Sequence, residues 1–415
     1  MFTPVLKKRT GFIFYGIFKK FMILYLTLYV RHINEFEKNI YTMDRRNFLR
    51  LSAAGLIGLG LGPAAEAAEA LSGKKGRRKK GCKDGNYSVI ILGDTHYDTA
   101  PDTYYHTGYS DPNPTREANH RKEFARNAEM WADRCPRLVK RAACLVDENT
   151  RLVYQTGDII QGDTAGVDAQ AKMLSDAFEY LKEAMGAAPL VTVAGNHDLR
   201  GKKDSEAREG YIKFMPERLS KELGTEVEGL DFAFRIGPDA FIAVNFNKPD
   251  DETVKRLLKE TEGARYTFIL CHAPVFPYDG SKYSNWYYHG KDKDKQARDE
   301  MRELFAKRNV IVLCGHTHST EFLDWYGDGG RITQMTMNSV WKNEATGEYN
   351  VMAEGIEGYG AISGSELFDE FRPGVKGYSY ARSAGCYKMN VSEEGVTVDF
   401  YAGDSTRPSA HFVLR

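Results

Sequence analysis

Five short motifs place carboxylate, amide and imidazole side chains at intervals along the chain. They are Asp94-Thr95-His96, Gly157-Asp158, Gly195-Asn196-His197-Asp198, Cys271-His272 and Gly315-His316-Thr317-His318. Such side chains bind divalent cations, and an anionic carboxylate can bridge two of them. Two cations about 3.5–4 Å apart generate hydroxide near neutral pH and bind both the attacking and the leaving oxygen of a phosphate ester. The motifs therefore predict a two-metal centre that hydrolyses phosphate esters, with Asp158 as the bridge.

Each motif follows a short apolar run rich in Val, Ile and Leu. The runs are Val89–Leu92, Leu152–Tyr154, Leu190–Val193, Phe268–Leu270 and Val310–Leu313. Runs of this kind are typical of strands buried on both faces. In open α/β sheets the carboxyl ends of the strands carry the ligand-binding residues. We therefore expect the polar residues of all five motifs to meet at strand ends.

The segments between the motifs have the patterns of helices and hairpins. Helical spacing of apolar residues predicts helices within Arg116–Val146 and over Ala171–Met185. Two strand pairs follow, Asp231–Ile236 with Ala240–Phe246 and Cys386–Val391 with Val396–Tyr401. We expect the last pair to close a second sheet.

In this order the motifs resemble those of the calcineurin-like metallophosphoesterase family, namely D-x-H, G-D, G-N-H-D/E, H and G-H-x-H. The resemblance covers roughly residues 89–318. It implies a four-layer α/β/β/α sandwich with two mixed β-sheets. It also implies two divalent or trivalent metal ions, and this ligand chemistry suits Mn, Fe, Zn or Co without choosing among them.

The resemblance assigns a role to each motif residue. The ligands implied for one ion are Asp94, His96, Asp158 and His318, and those for the other are Asp158, Asn196, His272 and His316. His197 is implied to be a general acid or phosphate stabiliser, and we expect Asp198 to orient it and raise its basicity. The expected reaction is direct attack by a metal-bridging hydroxide on phosphorus.

Three further polar residues near the motifs, Asp98, Asp163 and Arg200, match no ligand position of the family. We interpret Asp98 and Asp163 as loop or cap residues. Purple acid phosphatases have glycine where His96 stands and tyrosine where Gln161 stands, which disfavours a tyrosinate-iron site. Only about a hundred residues follow His318, too few for the added domain of the secreted 5′-nucleotidases.

The leading functional hypothesis is a phosphomonoesterase or phosphodiesterase that acts on a small organic phosphate. One alternative is a protein Ser/Thr phosphatase. The expected export disfavours it, and so does the segment after Asp198, which does not clearly resemble that subfamily. Another is a non-catalytic metal-binding scaffold, which the complete set of ligands disfavours.

Two aromatic loops, which follow His96 and His272, are candidates for substrate contact. They contain Tyr104, Tyr105, His106 and Tyr109, and Tyr283, Trp286, Tyr287, Tyr288 and His289. These rings either stack on a base or sugar of the substrate or pack the loops against the domain. The sequence leaves both interpretations open.

The first 85 residues have a different character from the rest of the chain. Residues 43–70 resemble a twin-arginine export signal, with Arg45-Arg46, an Ala/Gly/Leu stretch and small-x-small cleavage sites. We therefore expect residues 1–42 to be a misassigned upstream extension, residues 71–85 a basic linker and residues 86–415 the catalytic domain. The expected location is periplasmic or secreted, and the expected partners are the twin-arginine export machinery and a small phosphate ester.

Composition adds two exclusions. The 57 basic and 57 acidic residues balance, which gives no indication of a nucleic-acid partner. The apolar run at residues 21–30 is shorter than the roughly 20 residues of a spanning helix, so no stable membrane insertion is expected after signal cleavage.

Of the six cysteines, Cys271 and Cys314 end buried strands. We expect free thiols there, although a bridge between these two remains open.

Overall fold

Strands and helices alternate through the part of the chain that the computed structural model describes, residues 85–99, 105–277, 287–340, 348–363 and 366–415. The strands are β1 Tyr87–Leu92, β2 Thr150–Gln155, β3 Leu190–Thr192, β4 Phe232–Ile236, β5 Asp239–Val244, β6 Thr267–Cys271, β7 Ile311–Cys314, β8 Thr320–Gly327, β9 Gly330–Thr336, β10 Val351–Glu354, β11 Val375–Ala381, β12 Gly385–Val391, β13 Val396–Ala402 and β14 Ala410–Val413. The helices are α1 Pro114–Ala132, α2 Arg134–Ala143, α3 Val167–Met185, α4 Asp204–Leu223, α5 Asp251–Glu260, α6 Lys295–Lys307, α7 Gly355–Ser363 and α8 Glu366–Phe371.

Two mixed sheets form the centre of the fold. The first has the order β14-β13-β12-β1-β2-β3, and the second has the order β10-β11-β8-β9-β7-β6-β5-β4. Helices α2 to α4 pack on the first sheet, whereas α5, α6 and α7 pack on the second. The expected four-layer α/β/β/α sandwich with two mixed sheets is therefore confirmed.

The side chains of β6 alternate between the two hydrophobic cores of the fold. Phe268 and Leu270 belong to the core between the sheets, while Ile269 and Cys271 belong to the core under the outer helices. Successive side chains of a strand point to opposite faces, so a strand buried on both faces is apolar throughout. This is the reason for the continuous apolar runs before the motifs.

Parallel pairing brings the motif ends of the strands to one edge of each sheet. Strands β1, β2 and β3 are parallel neighbours, and so are β5, β6 and β7. The hydroxyl of Tyr154 in β2 donates to the carbonyl of Leu313 in β7 at 3.2 Å, which ties the two sheets together near these ends. The prediction that each motif closes a buried strand is confirmed.

The C-terminal hairpin differs from its prediction. Strands β12 and β13 do pair in antiparallel fashion, but β12 lies beside β1 in the first sheet. The expectation that this hairpin closes the second sheet is therefore wrong. An alternating pattern predicts a hairpin but does not identify the strand edge that it joins.

Five cysteines, Cys135, Cys144, Cys271, Cys314 and Cys386, are free thiols, and all except Cys144 are buried. The bridge left open between Cys271 and Cys314 is therefore not formed.

Within the described ranges, no helix combines the length and the apolar character needed to cross a bilayer. The predicted extension, the signal, the linker up to residue 84, Cys82, Tyr104, Tyr283 and Trp286 lie outside the described residues.

Candidate metal centre

The loops after β1, β2, β3, β6 and β7 bring the predicted ligands together between the two sheets. Three groups of side chains have potential ligand atoms within 4.8 Å of one another. They are Asp94 with His96 and His318, His96 with Asp158 and His197, and Asp158 with His272 and His316.

The first group lies around the carboxylate of Asp94. Nε2 of His318 is 3.0 Å from Oδ2 of Asp94, and the same nitrogen is 3.1 Å from Nε2 of His96. The backbone N–H of His316 donates to both Asp94 oxygens at 3.1 and 3.0 Å, which fixes the orientation of the carboxylate. Two imidazole nitrogens and a carboxylate oxygen thus converge on one point.

The second group lies around Nε2 of His272. This atom is 3.2 Å from Oδ2 of Asp158, 3.1 Å from Oδ1 of Asn196 and 3.2 Å from Nδ1 of His316. Asn196 is therefore part of this group, as the resemblance implies.

Asp158 connects the two groups. Its Oδ2 atom is 3.2 Å from Nε2 of His272 and 3.7 Å from Nε2 of His96. Its other oxygen, Oδ1, accepts the backbone N–H of His197 at 2.7 Å. One carboxylate oxygen thus faces ligands of both groups while the other is held by the backbone.

Four of the predicted ligands have a left-handed backbone. The φ angles are 41° at His96, 50° at Asp158, 70° at His316 and 53° at His318. Non-glycine residues rarely adopt this region, and such conformations concentrate at functional sites because the surrounding structure must enforce them. Backbone strain therefore accompanies the convergence of these side chains.

Two motif glycines allow the loops to approach the carboxylates. A Cβ atom at Gly195 would lie 2.1 Å from Oδ1 of Asp158, and one at Gly315 would lie 2.2 Å from Oδ1 of Asp94. No side chain fits at such distances, so both positions require glycine.

Hydrogen bonds fix the tautomers of two of the predicted ligand histidines. Nδ1–H of His272 donates to the carbonyl of Thr156 at 2.9 Å, and Nδ1–H of His96 donates to Oε1 of Gln161 at 3.2 Å. The lone pair of each neutral ring is then on Nε2, the atom that faces the cluster. Gln161, which stands at the position of the tyrosine in purple acid phosphatases, thus supports an imidazole ligand.

The electrostatic environment favours cation binding. Burial first, and then the neighbouring histidines, hold the pKa of His96 and His316 well below the usual range, so these rings are neutral. Burial opposes the charge on Asp158, but His272 and His197 hold its pKa well below the usual value. For His272, burial is outweighed by Asp158 and Asp94, which raise its pKa to about 9. A cation that binds there must release this proton.

The donor set fits metal ions. The clustered atoms are carboxylate oxygens, an amide oxygen and imidazole nitrogens, which are the donors that first-row divalent metals accept. Their orientations are set by backbone groups and by Gln161, as is usual around bound metals. Oδ2 of Asp158 lies near Nε2 of His272 and near Nε2 of His96, so a cation bound at either group would be close to this carboxylate.

Asp198 does not have the predicted role. Its carboxylate accepts backbone N–H groups, from Gly195 at 2.9 Å and from Ile160 at 3.2 Å. The Nδ1–H of His197 instead donates to the carbonyl of Gln161 at 2.8 Å. The expectation that Asp198 orients His197 is therefore wrong, because the single helical turn His197–Leu199 directs the carboxylate toward the backbone. Asp198 shapes the loop that carries Asn196.

Arg200 and Asp163 form a contact that the sequence did not predict. Nε and Nη2 of Arg200 donate to the two oxygens of Asp163 at 2.8 and 2.5 Å, and Glu123 lies 3.6 Å from Nη2. Nη1 of Arg200 is 3.4 Å from Nε2 of His197. We call Glu123, Asp163 and Arg200 the arginine wall. In the sequence, the spacing of three residues between His197 and Arg200 could have indicated that the two side chains lie close together.

Asp98 is also more than a loop residue. It is fully buried, and its Oδ2 is 2.9 Å from Nε2 of the equally buried His106. Nδ1 of His106 is 3.1 Å from the carbonyl of Asp163, with which it forms a hydrogen bond. The Asp98–His106 pair thus holds the backbone of the arginine wall.

The described aromatic residues of the first loop pack rather than face the centre. Tyr105 is buried and donates to Asp176 at 2.8 Å, and the ring of His106 stacks on Phe124 at 3.6 Å. Tyr109 is buried and bonded to His120 at 2.5 Å. For Tyr105 and His106 the packing interpretation is correct, whereas Tyr109 also lines a cavity together with Asp163 and Arg200.

The second loop contributes to a cavity beside the centre. A cavity of about 310 Å³ is lined by Asn196, His316, Phe246, Asn247, Tyr287 and His289, among others. The ring of Phe246 lies 5.3 Å from that of His272 and 5.4 Å from that of His316. We call Phe246, Tyr287 and His289 the aromatic wall.

Comparison with known proteins adds an independent observation. A sequence model of the calcineurin-like phosphoesterase family matches residues 87–320, which include all five motifs. No curated protein sequence matches the chain.

The solved structures that match the chain include the following three. The structure of PhoD has a similar fold and is 13% identical with a TM-score of 0.50, over 80% of this chain and 69% of that one. GAP50, the anchor in the inner membrane complex of Plasmodium, is 15% identical with a TM-score of 0.44, over 80% and 89%. A dimetal phosphatase from Danio rerio is 12% identical with a TM-score of 0.47, over 79% and 98%.

Proposed function

Because the chain belongs to the calcineurin-like phosphoesterase family, we propose that it is a dinuclear metal-dependent hydrolase of a small organic phosphate mono- or diester. The observation that supports two ions is the position of Asp158, whose Oδ2 lies near His272 and near His96. We assign Asp94, His96, Asp158 and His318 to one ion. Asp158, Asn196, His272 and His316 would hold the other.

When bound, the ions would supply a hydroxide nucleophile near neutral pH and would neutralise charge that develops on the phosphate. The protein holds the ligands in place before substrate arrives, through the backbone bonds to Asp94 and Asp158. Such preorganisation lowers the barrier because no reorientation is needed during the reaction. Mn, Fe, Zn and Co all suit these ligands.

His197 is the group that we assign to the leaving oxygen. Its Nδ1–H is committed to the carbonyl of Gln161, so the ring donates from Nε2 only when both nitrogens are protonated. Burial and Arg200 oppose this state and hold the pKa of His197 below its usual value, whereas Asp158 and Asp163 favour it. At neutral pH most of the rings are therefore neutral, with Nε2 as an acceptor that faces Nη1 of Arg200 at 3.4 Å. His197 would act as a general acid or phosphate stabiliser in the fraction of molecules in which Nε2 is protonated.

The first test is hydrolysis of bis-p-nitrophenyl phosphate beside p-nitrophenyl phosphate after Mn²⁺ or Zn²⁺ has been restored. Release of p-nitrophenol from either ester, lost on chelation, is the expected result. The exposed His411, paired with Asp399 far from the centre, offers a matched control as His411→Ala. A protein that binds the metals and hydrolyses neither ester would favour a narrow substrate or the scaffold alternative.

Metal content distinguishes a ligand from a catalytic residue. His197 lies within ligand distance of His96 and Asp158, so its role needs a direct test. The variant His197→Ala is expected to keep both metals and lose turnover. Loss of metal in this variant would make His197 a ligand.

We also propose that the protein is exported to the periplasm or medium through residues 43–70, on the support of the Arg45-Arg46 motif and the small-x-small sites. Mass spectrometry of the exported protein is expected to find an N-terminus near Ala67 or Ala70. Replacement of both arginines by lysine should retain the protein in the cytoplasm.

A further inference from the structure

We propose that the guanidinium of Arg200 binds an anionic phosphoryl oxygen of the substrate and makes the enzyme prefer phosphate monoesters to diesters. This inference rests on the proposed phosphoesterase function and adds the substrate class. The evidence for it is the geometry of the arginine wall and of the buried Asp98–His106 pair that supports this wall.

The orientation of Arg200 is fixed by a two-point contact. Nε and Nη2 donate to the two oxygens of Asp163 at 2.8 and 2.5 Å. A planar fork that meets a carboxylate in this way has little freedom to rotate. The remaining nitrogen, Nη1, is directed toward Nε2 of His197 at 3.4 Å.

Nη1 therefore lies beside the candidate metal centre, where its contact with His197 is long. His197 packs edge to face on the ligand His96, with 4.4 Å between ring centroids. An N–H donor at 3.4 Å from its acceptor forms a weak hydrogen bond, and a phosphoryl oxygen would be a stronger, charged acceptor. A substrate phosphate beside His197 comes within reach of this cation.

The carboxylate that holds Arg200 is itself buried and held. Asp163 has no exposed surface, and its backbone is left-handed with a φ of 56°. Its carbonyl accepts from Nδ1 of His106, and that ring pairs with buried Asp98. Asp163 is fully buried while the Arg200 side chain is 28% exposed, so the pair must offset the cost of removing the carboxylate from water and adds little net stability. We therefore attribute this well-supported guanidinium to function rather than to folding.

Charge selects the substrate class. A phosphate monoester carries about −1.5 to −2 charges at pH 7, whereas a diester carries one and has one fewer terminal oxygen. A fixed cation with free N–H capacity therefore stabilises the monoester more. A purely structural Arg200, which only braces the loop of Asp163, would not distinguish the two esters.

The test compares Arg200→Gln with the wild-type full chain, both loaded with Mn²⁺ to equal metal content. Activity on p-nitrophenyl phosphate should fall about 100-fold, the usual effect of losing one transition-state donor. Activity on bis-p-nitrophenyl phosphate should fall less than about fivefold. Affinity for inorganic phosphate, measured by titration calorimetry, should fall together with the monoester rate.

Further variants separate binding from bracing. Free guanidinium ion should restore part of the monoester activity of Arg200→Ala, and Arg200→Lys should lie between wild type and Arg200→Gln. Arg218→Gln removes a surface arginine paired with Glu179 and should change nothing. If Arg200→Gln fails to fold, the Arg200→Lys comparison is used in its place.

Equal losses on both esters, or unchanged phosphate affinity in a folded, metal-loaded variant, would overturn the proposal. Phosphate binding also separates this result from failure of the proposed function. A wild-type protein that binds the metals and hydrolyses neither ester favours a narrow substrate or the scaffold alternative, and its phosphate affinity still tests Arg200.

Discussion

The two walls of the metal centre are built by different physical means. In the arginine wall, Arg200 is held by the buried carboxylate of Asp163 in a charged two-point contact. In the aromatic wall, Phe246 contacts the ligand imidazoles through its ring. The first wall lies beside His96 and His197, and the second beside His272 and His316.

This difference separates charge recognition from shape. A charged fork acts on a phosphate through direction and sign, and its effect changes with the charge of the ester. A ring contact acts through excluded volume and apolar area, and it is indifferent to ester charge. We therefore expect substitutions in the arginine wall to alter ester preference and those in the aromatic wall to alter both ester activities alike.

The largest effect should come from the residue that both groups share. Asp158→Ala is expected to remove metal binding and to lower turnover more than about a thousandfold on both esters, since either wall acts only on a substrate held at the metals. Metal analysis and both ester assays check this. Wild-type protein stripped by a chelator should behave in the same way, and full metal retention in Asp158→Ala would contradict the assignment.

Breaking the arginine wall alone should give a smaller and selective loss. Asp163→Asn keeps the shape but removes the charge that orients Arg200, so the monoester rate should fall about tenfold, with kcat affected at retained metal content. The diester rate should change little. Asp168→Asn removes an exposed carboxylate paired with Lys213 and serves as the control. A tenfold loss on both esters would mean that Asp163 supports the whole site.

Breaking the aromatic wall should reduce both activities by a similar, smaller factor. Phe246→Ala removes the ring beside His272 and His316, and we expect a loss of about threefold to fivefold on each ester. Phe246→Leu, which keeps most of the apolar volume, should recover much of it. A loss confined to the monoester would show that charge selection is not restricted to the arginine wall.

The smallest effect concerns stability behind the aromatic wall. Asp231 accepts the backbone N–H of Asn245, the residue before Phe246, at 2.8 Å, and burial raises its pKa to about 6. The folded state then binds this proton more tightly than the unfolded state, so stability falls as pH rises from about 4 through 6. Asp231→Asn removes that loss. Urea unfolding should find the variant more stable by about 1 kcal/mol at pH 8 and equal to wild type near pH 4.

The convergence of the motif residues could be predicted because metal-binding chemistry restricts residue type and spacing. The apolar run before Asp94 or His272 marks a buried strand, and parallel pairing then brings the strand ends together. Four of these residues nevertheless require left-handed backbone, which no pattern in the sequence indicated. The fold was accessible for the same reason, since alternating helices and buried strands favour an α/β sandwich.

The supporting contacts could not be predicted because they join distant segments or depend on local direction. Asp163 and Arg200 are separated by 37 positions, and His106 reaches the carbonyl of Asp163 over 57. Asp198 was misjudged because one helical turn decides whether its carboxylate meets an imidazole or the backbone. Tyr105 and His106 had the composition of a substrate loop, but their burial is a property of the packed domain.

The free cysteines give this fold its own chemical reporters of local opening. Burial raises the pKa of Cys135 and Cys386 to about 12 and places that of Cys271 and Cys314 above the usual range. Since only the thiolate is alkylated, these side chains become reactive when the strands around them separate. Cys144 is exposed, so its labelling rate serves as the reference for a thiol that needs no opening of the structure. The labelling times of Cys271 and Cys314 then record how often the strands beneath His272 and His316 part.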